Sequence, residues 1–125
     1  MGNIYNFFSD EITPVVKIPS YSKKDLKDWS WTDFYNYFED KHTTSFYKRT
    51  ASWKQRAKYK SIIEESYSRW GKDVFKEMID YVFENYKDYP WEDVTIGLVC
   101  GRHYWAEEIG RAAMQQMAVN KKWAK

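Results

Sequence analysis

The chain has 125 residues, 43% of them hydrophobic and 20% aromatic, with a formal net charge of only +2. Length and aromatic content are enough for one domain with a real core, since each buried aromatic removes roughly 150–250 Å² from water. The charge excludes a polyanionic nucleic-acid mimic and a histone-like basic coat, but not a local basic face. With a single cysteine there is no internal disulfide, and a lone thiol fits a reducing compartment. No stretch approaches the length of a membrane-spanning apolar run. The N-terminus lacks a signal-peptide pattern, and Met1-Gly2 with Asn6 fails the myristoylation pattern. A cytoplasmic protein without membrane association is the expectation.

Five glycines and three prolines are too few for the frequent turns of a β fold, so a few long helices are expected. Residues 1–29 differ from the rest. Ile4, Tyr5, Phe7 and Phe8 cluster, and Pro14 and Pro19 bracket β-branched residues. That pattern predicts an extended arm packing on the body, with a short hairpin, an edge strand or a mobile arm as alternatives. Residues 30–125 are expected to form the helical domain.

The first helix is expected over 31–42, capped by Ser30 or Thr32. Trp31, Phe34, Tyr35 and Phe38 share its apolar face, and Thr43-Thr44-Ser45 ends it. Ser52 is the expected cap of a second helix over 53–70, with Tyr59, Ile62, Ile63, Tyr67 and Trp70 on one face. Gly71 stands where a left-handed C-terminal residue is wanted. A third helix, over 72–87, carries Val74, Phe75, Met78, Ile79, Val82, Phe83 and Tyr86. Residues 91–100 read as a short helix or a buried strand. The last helix, over 102–120, has Trp105, Ile109, Ala112, Ala113 and Met117 on its apolar face, and Gly110 with the alanines leaves room for a close neighbour. The fold class is mainly α: a bundle of four to five helices with an N-terminal arm.

Chemistry is poorly supplied. His42, His103 and Cys100 are the only His or Cys residues. Cys100 and His103 are spaced for one helix face, but a structural zinc takes four ligands. A buried thiol and a helix-start histidine are the plainer reading. No glycine-rich phosphate cradle exists. The carboxylate pairs Glu39/Asp40, Glu64/Glu65, Glu92/Asp93 and Glu107/Glu108 are adjacent in sequence and read as solvated helix surface. No catalytic residue, metal ligand or cofactor is expected.

The charge pattern says more. Between Lys48 and Lys60 lie six basic residues and no acidic one: Lys48, Arg49, Lys54, Arg56, Lys58 and Lys60. Phe46, Tyr47, Trp53 and Tyr59 accompany them. Cations that neutralise phosphates give a salt-sensitive affinity independent of sequence. Neighbouring aromatics, here Trp53 or Tyr59, can stack on unpaired bases. Placed at the start of helix two, this segment is a candidate nucleic-acid site, for DNA rather than RNA. An ion pair of Lys60 with Glu64 would weaken it. Lys121, Lys122 and Lys125 with Trp123 form a second cluster, which a helix dipole alone accounts for.

Aromatic excess is the competing signal. Tyr5, Tyr21, Trp29, Tyr37, Tyr47, Tyr81, Tyr89, Trp91 and Trp123 fall off the apolar stripes or in loops. Tyr and Trp are enriched in interface hot spots, so a module that inhibits or redirects a host protein is the alternative. The oligomeric state is left open.

The stretches Trp31-Thr-Asp-Phe-Tyr-Asn-Tyr-Phe38, Trp70-Gly-Lys-Asp73 and Met78-Ile-Asp-Tyr-Val-Phe-Glu-Asn-Tyr86 resemble small helical proteins encoded by bacteriophages. They are loosely similar to replication-accessory and helicase-loader-type domains over about 31–100. The resemblance implies a phage or mobile-element origin and a choice between handling DNA and binding a host protein. It assigns no functional residue.

Overall fold

The structure is a computed structural model that describes residues 20–101 and 103–123, the side chains of Ser20, Lys122 and Trp123 excepted. Among the described residues it holds four α-helices: α1 (Trp31–Phe46), α2 (Lys60–Trp70), α3 (Lys72–Asn85) and α4 (Tyr104–Trp123). Short 3-10 turns fill the connections, and no strand is present among the described residues. α3 is the central element and packs on each of the other three helices.

The apolar stripes seen in the sequence face one core. Phe34, Tyr35 and Phe38 of α1, Ile63 of α2, Phe75, Met78, Ile79 and Val82 of α3 and Ile109 of α4 are essentially without solvent contact. Phe34 sits edge-on to Phe75, and Phe38 is tilted against Phe83, both at about 5 Å between ring centres. Gly110 provides the close approach expected of α4. A Cβ there would lie 2.5 Å from the Trp70 ring.

α1 begins where expected. The Ser30 backbone N–H donates to the Asp33 carboxylate at 2.9 Å, one half of a capping box. The helix runs past Thr43-Thr44-Ser45, with the Thr44 hydroxyl bonded back to the Asp40 carbonyl at 3.0 Å. It ends at Tyr47, the one non-glycine residue with positive φ among those described (φ 62°, ψ 26°).

Four further local expectations are corrected. Residues 53–59 form a 3-10 turn with a non-helical Gln55, so the second α-helix starts at Lys60. Ser52 stands at the N-terminal cap position of that turn, but its hydroxyl makes no cap bond and meets the Tyr35 hydroxyl at 3.0 Å instead. Gly71 has positive φ but extended ψ (95°, 149°), so it is a one-residue break between α2 and α3 and not a left-handed helix end. Residues 91–100 are neither α-helix nor strand. Only Ile96–Leu98 makes a 3-10 turn, yet Val94, Ile96, Leu98, Val99 and Cys100 are buried. Turn bonds satisfy the N–H groups of Leu98, Val99 and Cys100, and the Gly101 N–H donates to the Ser66 hydroxyl.

Of the N-terminal arm, residues 20–29 form two 3-10 turns that pack Tyr21, Leu26 and Trp29 on the body. The extended chain expected around Ile4–Ile18 lies outside the described residues.

Candidate functional site

The basic segment runs back along α1. The contacts fix its register: Lys48 meets His42, Thr50 meets Glu39, Ser52 and Trp53 meet Tyr35, and residues 54–58 share a cleft with Trp31. The helix residues in that series share one face, and the span from Trp31 to His42 is about 16 Å at 1.5 Å per residue. The six cations therefore form an elongated strip over one side of α1.

A buried polar layer holds the strip in place. Glu39 has no solvent exposure, and it accepts the Thr50 N–H at 3.1 Å and the Thr50 hydroxyl. The Tyr35 hydroxyl bonds Ser52 and Thr50. Burial lifts its pKa, the Ser52 and Thr50 bonds pull it down, and Glu39 adds to the rise, which wins overall. His42 is fully buried between Phe38 and Phe46. Its Nδ1 lies 2.7 Å from the Lys48 carbonyl and its Nε2 lies 2.9 Å from the Asp93 carboxylate. Both partners are acceptors, so the two bonds coexist only when the ring carries both protons. Glu39 thus departs from the solvated-surface reading. A stripe of Tyr35, Glu39 and His42 at i, i+4 and i+7 was the available signal. It was masked because a buried carboxylate is rare unless its partners are known.

The strip's cations are arranged on an aromatic base. The Arg49 guanidinium lies 3.8 Å from the Trp53 ring centre and the Arg56 guanidinium 4.5 Å from it. Trp53 in turn stacks on Tyr35 at 6.1 Å, as Tyr59 does at 6.3 Å. Lys58 sits over Tyr59 at 5.6 Å. A guanidinium laid flat on a ring keeps its edge N–H groups free to donate. Lys48, Arg49, Lys54, Arg56, Lys58 and Lys60 are exposed, and among the described residues no carboxylate pairs with any of them. The Lys60–Glu64 pair is not formed. A cleft of about 570 Å³ opens beside the turn, lined by Trp31, Thr32, Lys54, Gln55, Arg56, Ala57 and Lys58, with no acidic residue.

No family model, curated protein or solved structure matches the chain.

The other expected features are accounted for separately. Cys100 is buried, and burial pushes its thiol up to about 12 against the opposing Ser66 bond. His103 stands at the start of α4, where its Nδ1 accepts the Trp105 N–H at 3.1 Å. No group of three or more His, Cys, Asp or Glu side chains is placed to hold a metal among the described residues, and no described helix is long and apolar enough to cross a membrane. Of the C-terminal cluster, Lys121 is exposed, while the Lys122, Trp123 and Lys125 side chains lie outside the described residues. The aromatic excess is largely consumed inside. Trp29 is buried, and Tyr21, Tyr37, Tyr81, Tyr89 and Trp91 are half-buried in ring clusters, as in the 4.4 Å stack of Tyr89 on Trp91. Among the described residues, Tyr47 is the one aromatic of that set that is exposed, at 89%. Tyr5 is outside the described residues.

Proposed function

We propose that this protein is a non-enzymatic, phage-type accessory protein that binds nucleic acid, DNA in the first instance, through the strip from Lys48 to Lys60. The observation that carries this reading is the set of six exposed cations without a carboxylate partner, two of them laid on Trp53. A folded chain of nearly balanced charge normally mixes its signs. An unanswered strip leaves each cation free for a phosphate, and a pre-oriented guanidinium edge suits bidentate contact. The resemblance to small helical phage proteins agrees with this reading.

The test is a gel-shift titration of a DNA fragment across salt. With Lys48, Arg49, Lys54, Arg56 and Lys58 each neutralising one phosphate, log K against log salt is expected to slope by about −4.5 on duplex or about −3.5 on a single strand. Reversal of Arg49, Lys54 and Arg56 to Glu is expected to abolish the shift. No binding of DNA or RNA at low salt, or unchanged affinity in the triple variant, overturns the reading.

The alternative, a module that binds a host protein, is supported by the exposed Tyr104, Met114 and Val119 on α4. Such residues scattered singly are ordinary surface, and Arg111, Gln115 and Glu108 lie among them. A pull-down from host lysate that retains a specific protein after nuclease treatment, and loses it in Tyr104→Ala, would favour it.

A further inference from the structure

We propose that the strip takes single-stranded rather than duplex nucleic acid, with unpaired bases stacking on Trp31 and Tyr47 and phosphates held between them by Arg49 and Arg56. This rests on the nucleic-acid reading above and adds strandedness and two base-contacting residues.

The first observation concerns which rings are occupied. Trp53 and Tyr59 are the aromatics interleaved with the basic residues, but their faces are in use. Trp53 has Tyr35 against it and two guanidinium groups over it. Tyr59 has Tyr35 and the Lys58 ammonium. These rings serve as the base on which cations rest. Trp31 and Tyr47 are different. Neither has an aromatic or cationic partner among the described residues. Trp31 is half-buried and lines the cleft with Lys54, Arg56 and Lys58. Tyr47 is 89% exposed and held with positive φ directly before Lys48 and Arg49. A bulky residue in that backbone region is unfavourable by roughly 1–2 kcal/mol, and such conformations collect at functional sites.

The second observation is position. Trp31 opens α1 and Tyr47 closes it, so the two rings mark the ends of the strip, about 24 Å apart along the helix axis. That span covers roughly seven phosphates of one stacked strand at 3.4 Å each. Cations between two rings that carry neither a cation nor a second ring among the described residues suit a strand that alternates charge with π-face. Each base stacked on an aromatic contributes an amount that every base can supply, so recognition is tolerant of sequence.

The third observation is shape. Reading a duplex through its major groove takes an α-helix or a two-stranded ribbon that can enter it. Of the six cations, only Lys60 belongs to an α-helix. Lys48 and Arg49 are in a loop, and Lys54, Arg56 and Lys58 are in a 3-10 turn flattened on α1. A duplex would meet this strip through phosphates alone, whereas a single strand adds both stacking contacts.

The experiment is fluorescence anisotropy with a labelled twelve-nucleotide oligo(dT), a twelve-base-pair DNA duplex and oligo(U) of equal length, at one low salt concentration. The oligo(dT) is expected to bind at least tenfold more tightly than the duplex. Tyr47→Ala and Trp31→Leu are each expected to weaken oligo(dT) by about 5- to 150-fold, the range for one stacked base, and to leave the duplex affinity unchanged. Tyr47 is so exposed that its variant keeps the fold, and circular dichroism checks Trp31→Leu. Oligo(U) binding equal to oligo(dT) supports stacking without sugar discrimination. Equal affinity for single strand and duplex, or unchanged oligo(dT) binding in both variants, overturns the proposal while the nucleic-acid reading stands. Absence of binding to all three probes overturns both.

Discussion

The two sides of α1 treat charge in opposite ways. On the side facing α3, cations are answered. Asp80 receives Lys41, Lys76 and the Tyr37 hydroxyl, and the Tyr21 hydroxyl bonds Asp40. Nearby, Lys24 meets Asp33 at 2.9 Å, and Arg69 pairs with Glu107 between α2 and α4. On the strip side, six cations have no carboxylate among the described residues, and Glu39 and Asp93 are turned to Thr50 and His42 instead. A net charge of +2 hides this asymmetry. The paired side tethers helices to one another, whereas on the strip side the tethering lies beneath the charge, in the Tyr35–Glu39–His42 layer. Charge and structural support are separated there, which leaves the cations free for another molecule.

The sharpest way to break this contrast is Glu39→Ala. It strips the acceptor from the Thr50 N–H and hydroxyl, and a loss of about 2–3 kcal/mol is expected in urea unfolding. Nucleic-acid affinity should fall with it, since the loop carrying Lys48 and Arg49 loses its anchor. Asp80→Asn is the control on the opposite side. Three partners weaken at once, stability should fall by about 1–2 kcal/mol, and binding should not change.

A smaller effect comes from Asp33. Burial raises its pKa, but the Lys24 and Ser30 bonds outweigh burial and hold it below the usual carboxylate range. A carboxylate with a depressed folded pKa stabilises fully above its unfolded value, and the contribution disappears as pH falls through the folded one. Asp33→Asn should therefore lower stability by about 1 kcal/mol at neutral pH through the weakened capping box, with the gap to the wild type closing in acid. Thermal melts at several pH values measure this. Tyr47→Gly should raise stability by up to about 1 kcal/mol, because glycine adopts positive φ without the Cβ clash. The same substitution should weaken oligo(dT) binding, separating the residue's structural penalty from its use. The smallest expected effect is on the strip itself. Lys54→Gln with Lys58→Gln should leave stability within about 0.5 kcal/mol, since no ion pair is lost, while binding becomes weaker and less salt-dependent.

The helical class, the core face of each helix and the basic segment were all legible in the sequence, because each is a local property. Helical spacing of Phe34, Tyr35 and Phe38, or of Phe75, Met78, Ile79 and Val82, identifies a buried face without knowledge of what it meets. Lys48 to Lys60 needs only a count of charges. Three of the local corrections trace to tertiary context. The 53–59 stretch tightens into a 3-10 turn where Trp53 and Tyr59 both settle on Tyr35. Ser52 turns to the Tyr35 hydroxyl instead of to a helix end. Residues 91–100, ambiguous by periodicity, are held as buried irregular chain by Ser66 from another helix.

What the sequence by itself determined is therefore the composition of the strip and the faces of the helices, since both follow from spacing along the chain. Only the tertiary structure decided that the strip's cations have no carboxylate partner among the described residues, that Trp53 and Tyr59 lie beneath them, and that Trp31 and Tyr47 carry no ring or cation. Those properties depend on how the segment after α1 folds back along it, and on which carboxylates are consumed by buried donors. Pairing is a matter of distance in space, which local patterning does not encode.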